Sequence, residues 1–324
     1  MTRANYPPPQ RNNAFDSLKL ICALLVVFIH CKYPYKGCVL PVTDVAVPLF
    51  FGISGYFIYG TNRNWKRAKR ILAILIWSAA LYLLKTEAFW LLSSHQLYAP
   101  TWKNIIDFVL FNDVAFSIHL WYLPAYIYVL VAAFFIDKWR IWGWGFCAIV
   151  PLLLVGAFIR QAIAGSCPEE IQYYRNAYFC GLPYFLLGAF VKKQYSCITG
   201  KCKNASKQTI LSIAILLLFV SRYCISSSSF VWTSIRELNL MLLTYCILLF
   251  TATTIQKRNN IFSVLGRSYS LYIYIFHLLI MQVCLVAVGA FGEPIRTSYL
   301  YFCPIFVFLL SIALTHVLQK SHII

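Results

Sequence analysis

FDSLKLICALLVVFIH, at residues 15–30, reads as a single buried helix. After its first turn it is apolar except for Lys19, and it ends in His30. Lys19 stands eleven positions before His30. Eleven steps of about 100° return to nearly the same helical face, with a rise of about 16 Å. One face of a buried helix therefore carries a cation near one end and an imidazole about halfway across a bilayer roughly 30 Å thick. Ionisable groups at that depth are costly and are functional candidates by default. The plainer reading of His30, a hydrogen bond to a neighbouring helix, stands beside the functional one.

The rest of the chain has the same character. Of 324 residues, 60% are hydrophobic, 17% aromatic and only 12% charged. That composition belongs to an all-α, polytopic integral-membrane helical bundle, here of about ten transmembrane helices. Candidate spans fall near 15–32, 42–60, 71–92, 119–136, 141–159, 177–191, 208–225, 238–255, 268–288 and 299–317. The loops between them alternate in charge. One side holds 19 of the 28 basic residues, including Arg63, Lys66, Arg67, Lys69 and Arg70, and the positive-inside rule places that side and both termini in the cytoplasm. The longer irregular segments, 93–118, 160–176 and 226–237, then lie outside. The formal charge of +18 is mostly a topology signal, and no nucleic-acid partner is expected.

The expected organisation is a cytoplasmic tail at 1–14, a single transmembrane domain at 15–318 and a short cytoplasmic tail at 319–324. YPPPQRNN reads as disordered. The first apolar run continues into Cys31 and Lys32 with no small-residue cleavage site, so it is not read as a cleaved signal. Of twelve cysteines, most lie in apolar runs, as Cys22, Cys147, Cys246 and Cys284 do, and act there as small hydrophobes. Cys197 and Cys202 flank a basic loop with no histidine nearby, so no zinc site is expected.

Five segments, in order, carry a resemblance. DSLKLICALLVVFIH resembles the opening helix of the membrane acyltransferase-3 family, which carries a basic residue, ten residues and then histidine; here these are Lys19 and His30. VPLFFGISGYFI, at 47–58, resembles the family's FF-x-x-SG segment. The KRAKR loop matches its R-x-x-R element at Arg67 and Arg70. HLWYLP, at 119–124, resembles its H-x-W segment, and SYSLYIYIFH, at 268–277, its penultimate helix, which also ends in histidine. The chain departs from the best-known branch at Pro48, where many members have aspartate, and at Pro124, Ala125 and Tyr126, where paired glutamates often stand.

The resemblance implies a multi-pass protein of the bacterial cell membrane that transfers an acyl group, commonly acetyl. The donor would be cytosolic acyl-CoA and the acceptor a hydroxyl of a cell-surface or lipid-linked glycan. His30 and His277 are then the catalytic candidates, as general base or as acyl acceptor. Lys19, Arg67 and Arg70 are the candidates for binding the donor. Arg67 and Arg70 are three apart, share a face at a helix N-terminus and can grip phosphate bidentately. Lys66 and Lys69 read as anchors only. Asp16 can pair with Lys19 at i, i+3. His119 and Trp121 are candidates for binding the sugar, although an aromatic belt explains Trp121 and Tyr122 without any ligand. Gly52, Ser54 and Gly55 read as a close-packing surface. No metal is expected, and oligomeric state is not readable. Membrane domains of this kind also occur fused to amino-acid racemases, which implies an alternative: a small-solute, amino-acid transport domain without acyl transfer.

The topology is checked by single-cysteine labelling with an impermeant reagent, in a background lacking the native cysteines. In intact cells, cysteines placed in the 63–70 and 192–207 loops should stay unlabelled and those in 93–118 should label. The reverse pattern contradicts the assignment.

Overall fold

The structure, a computed structural model, describes residues 12–61, 64–164, 166–167, 169–198, 204–225, 229–254, 256 and 258–321. Arg63, Cys202, most of the YPPPQRNN segment, most of the expected N-terminal tail and half of the expected C-terminal one lie outside the described residues. Every regular element among the described residues is helical. In chain order these are α1 (Asn13–His30), α2 (Lys36–Thr43), α3 (Ala46–Ile58), α4 (Asn64–Ser94), α5 (Trp102–Phe111), a 3₁₀ turn (Ile118–Trp121), α6 (Tyr122–Lys138) and α7 (Trp142–Ala164). There follow a second 3₁₀ turn (Ile171–Tyr173), a π turn (Ala177–Gly181), α8 (Leu182–Ile198), α9 (Asn204–Cys224), α10 (Phe230–Thr253), α11 (Ile261–Gly289) and α12 (Glu293–Lys320).

Nine stretches among the described residues are long and apolar enough to cross a membrane, which makes this a multi-pass membrane protein. The expected span at 177–191 is not among the nine. Its chain begins as the π turn, and α8 then carries Lys192, Lys193 and Gln194 in its last two turns, so its apolar run is short. The expected span at 42–60 starts earlier, at Lys36, and is interrupted at Asp44–Val45, between α2 and α3.

The chain gathers into two compact units, interleaved in sequence. The first comprises Met1–Val47, Lys203–Ile213 and Ile247–Ile324, and so contains α1, α2, α11 and α12. Its frame is the pair α1 and α11. Asn12 caps α1 by accepting from Ala14 N. Its Nδ2 donates to the carbonyls of Thr251 and Thr254, and its Oδ1 also accepts from Gln256 N. Asn260 and Ser263 form a capping box that starts α11 at Ile261. The two helices run parallel and meet backbone to backbone: a Cβ on Gly266 would lie 1.8 Å from the Asp16 carbonyl oxygen. Helix α12 packs back along α11, where Gln319 Nε2 donates to the Ser268 carbonyl and Tyr269 Oη meets His316 Nδ1 at 2.9 Å.

The second unit comprises Pro48–Cys202 and Ala214–Cys246. Its tightest crossing is α3 against α8. A Cβ on Gly55 would lie 1.8 Å from the Phe185 carbonyl oxygen, and one on Gly188 would lie 1.8 Å from that of Gly52. The FF-x-x-SG segment is therefore a contact surface, as its small residues suggest. Ser54 Oγ donates to the Phe50 carbonyl of its own helix. The π turn is capped by Asn176, and its first amide, Ala177 N, donates to the buried Asn112 side chain.

Gly266→Ala should push α1 and α11 apart and lower the melting midpoint of the detergent-purified protein, because a methyl group placed against backbone overpacks the crossing by roughly 1–3 kcal/mol. Gly289→Ala, on the same helix but with nothing within 4 Å of the position its methyl would take, should leave the midpoint unchanged. Equal midpoints for both variants would contradict the crossing.

Candidate active site

His30 is the last residue of α1, where a cation-capable side chain is favoured by the helix dipole. Backbone extends at Cys31, which ends the helix. Helix α11 delivers His277 to the same level. The two imidazole centroids lie 5.1 Å apart with planes tilted by 46°. His277 is fully buried, whereas His30 is partly exposed. His277 Nδ1–H donates to the carbonyls of Ile273 at 3.1 Å and Tyr274 at 2.8 Å on its own helix. In the neutral ring that leaves Nε2 as the acceptor nitrogen. The pair thus has a partly exposed imidazole that can meet a substrate and a buried one of fixed orientation.

A charged cluster stands at the other end of the same two helices. Asp16, buried, accepts from Lys19 Nζ at 2.9 Å, the i, i+3 pair expected from sequence. Its second carboxylate oxygen lies 3.5 Å from Arg267 Nε. Arg267 Nη2 also donates to Asn13 Oδ1 at 3.3 Å and to Asn259 Oδ1 at 2.9 Å. Lys19 and Arg267 are each the seventh residue of their helix. From there His30 is eleven residues on and His277 ten, a rise of about 15–16 Å. Sequence reasoning counts Arg267 only among the basic-side charges. The signal that finds it is its own spacing to His277, which repeats that of Lys19 to His30 within one residue.

The remaining candidates belong to the second unit. Helix α4 starts at Asn64, so Arg67 and Arg70 stand on its first two turns, Arg67 partly exposed and Arg70 exposed. Lys69 Nζ lies over the Trp65 ring at 5.9 Å. His119 is fully buried, with Ser117 Oγ at 2.9 Å from its Nδ1 and the Tyr82 ring at 4.7 Å. Trp121, also buried, lies under the Arg175 guanidinium at 5.2 Å. Burial holds the nearby Asp113 carboxyl above the usual carboxylate range; Asp107 adds to the rise and Arg175 opposes it. Arg160 and Glu237 pair at 3.0 Å. Among the described residues no three His, Cys, Asp or Glu side chains stand together in a way that would hold a metal.

Comparison with known proteins gives two partial likenesses. A serine/alanine racemase of Enterococcus gallinarum is 30% identical over 133 residues, which are 36% of this chain and 18% of that protein. An amino-acid racemase of Enterococcus faecalis is 32% identical over 130 residues, again 36% of this chain and 18% of that protein. The matched stretch is thus under a fifth of either relative's length. No solved structure matches. The family model described as an acyltransferase domain, by contrast, matches residues 12–317, nearly the whole chain, and the chain belongs to that acyltransferase-3 family.

Proposed function

We propose that this chain transfers an acyl group, acetyl being the expected one, from acyl-CoA to a hydroxyl of a cell-surface or lipid-linked glycan across a bacterial cell membrane. The observation that carries the reading is the His30–His277 pair, 5.1 Å between rings, at one end of a parallel helix pair whose other end holds Lys19, Asp16 and Arg267. A long anionic thioester fits that layout: its phosphates meet the cations and its pantetheine arm runs along the helices to the imidazoles.

His30, the partly exposed member, acts on the reacting atoms. As a general base it takes the proton of the acceptor hydroxyl while the oxygen attacks the thioester carbonyl. The carbon–sulfur bond breaks, and the proton passes to the departing CoA thiolate. As a nucleophile it would instead carry the acyl group before passing it on, with the same net balance. His277, fixed by its own helix carbonyls, orients or relays through Nε2. Arg67 and Arg70 are proposed as further donor contacts, on the chemistry of a helix N-terminus and bidentate phosphate binding. Trp121 and His119 are proposed for the sugar. The Trp121 ring under the Arg175 guanidinium, with the Asp113 carboxyl raised by burial and within electrostatic reach of Arg175, supports that assignment. The racemase likenesses cover too little of either protein to bring an activity here.

His30→Ala should abolish transfer and leave acyl-CoA binding intact, because the imidazole lies about 16 Å of helix rise beyond Lys19. Single-turnover assays with labelled donor read both steps. A labelled protein intermediate lost in the variant marks covalent relay, and none at all marks the general base. Near-normal transfer by the folded variant would sink the role of His30.

Arg67→Ala with Arg70→Ala should weaken acyl-CoA binding in the folded, inserted protein. The deficit should shrink as salt rises, since part of the attraction is screened. Lys66→Ala and Lys69→Ala should matter much less. Equal losses from all four positions would instead indicate a diffuse basic surface.

A further inference from the structure

We propose that Arg267 and Lys19 together grip the diphosphate of the coenzyme A donor, with Asp16 as the positioning residue that holds both cations at the entrance of the α1–α11 pair. This rests on the acyl-CoA reading above and adds to it a residue and a phosphate. Three observations carry it, all within the first unit.

The first is charge. One buried carboxylate faces two cations, so these three side chains carry a net positive charge. Lys19 and Arg267 side chains are 30% and 33% exposed, against 8% for Asp16, so the cations reach the surface and the acid does not.

The second is donor geometry. A guanidinium has five N–H donors in a fixed fork. Nε lies 3.5 Å from an Asp16 oxygen, and Nη2 donates to Asn13 and Asn259. These contacts lock the plane of the fork. The Nη1 edge takes no partner among the described residues. A locked guanidinium with one open edge is suited to a phosphate oxygen, and the compact Lys19 ammonium adds a point charge beside it.

The third is register. Arg267 precedes His277 by ten residues and Lys19 precedes His30 by eleven, on parallel helices. Both cations thus stand about 15–16 Å of helix rise from the imidazole pair. In coenzyme A the group joined directly to the pantetheine arm is the diphosphate; the 3′-phosphate lies beyond the ribose. A cation level one arm's length from the thioester is therefore a diphosphate level.

The test is binding to the full-length protein in detergent or nanodiscs, with coenzyme A and 3′-dephospho-coenzyme A as probes. Both carry the diphosphate and only the first carries the 3′-phosphate. Arg267→Gln should weaken both by about tenfold or more, as for loss of a charge-assisted hydrogen bond. Arg267→Lys, which keeps a cation beside Asp16, should weaken both less; it gives the same comparison should Arg267→Gln fail to fold. Weakening of coenzyme A alone would overturn the diphosphate assignment. A lowered melting midpoint with unchanged affinity for both probes would overturn the binding role and leave Arg267 as a helix staple. Failure of the wild-type protein to bind coenzyme A at all would sink the donor reading itself, a result distinct from unchanged binding by the variants.

Discussion

A helix pair that meets backbone to backbone at Gly266 and Asp16 cannot slide by a residue without a clash, and that fixed register sets what the first unit can do. Glycine is needed there because any Cβ would enter the Asp16 carbonyl. With the crossing fixed and the helices parallel, the heights of side chains further along each helix are fixed relative to one another. His30, fourteen residues past Asp16, meets His277, eleven past Gly266, ring to ring, while Lys19 and Arg267 both reach Asp16 close to the crossing. One packing contact therefore produces two polar levels, one cationic and one imidazole.

The electrostatics agree with the packing. A buried carboxylate such as Asp16 is costly unless paired, and two cations pair it. The imidazoles at the far end carry no formal charge in their neutral form, so they can occupy an apolar level that an ammonium or carboxylate could not without a counter-ion. His277 satisfies its Nδ1 within its own helix, so the orientation of its ring is set by α11 itself.

Much of this was legible in the residues. The all-helical membrane architecture follows from composition and the length of the apolar runs. The Lys19–His30 spacing and the Asp16–Lys19 pair follow from helical periodicity alone. Three things did not. The π turn at Ala177–Gly181 depends on Asn176 capping from outside the run, and hydropathy does not sense a cap. Helix α2 lies mostly in the gap between the expected spans at 15–32 and 42–60, where Gly37 and Pro41 weaken any helical signal. Arg267 looks like one more positive-inside charge until α11 is set beside α1, because only a tertiary contact brings it to Asp16.

The central claim is that a single donor lies along α1 and α11 with its thioester at the imidazole pair. The most direct measurement is an experimental structure of the protein bound to a non-hydrolysable acyl-CoA analogue. The account predicts the carbonyl-equivalent carbon within about 3–3.5 Å of a His30 nitrogen, the near-attack range, and the diphosphate against Lys19 and Arg267. An analogue whose acyl end lies away from both histidines, or whose diphosphate avoids that cluster, would contradict it.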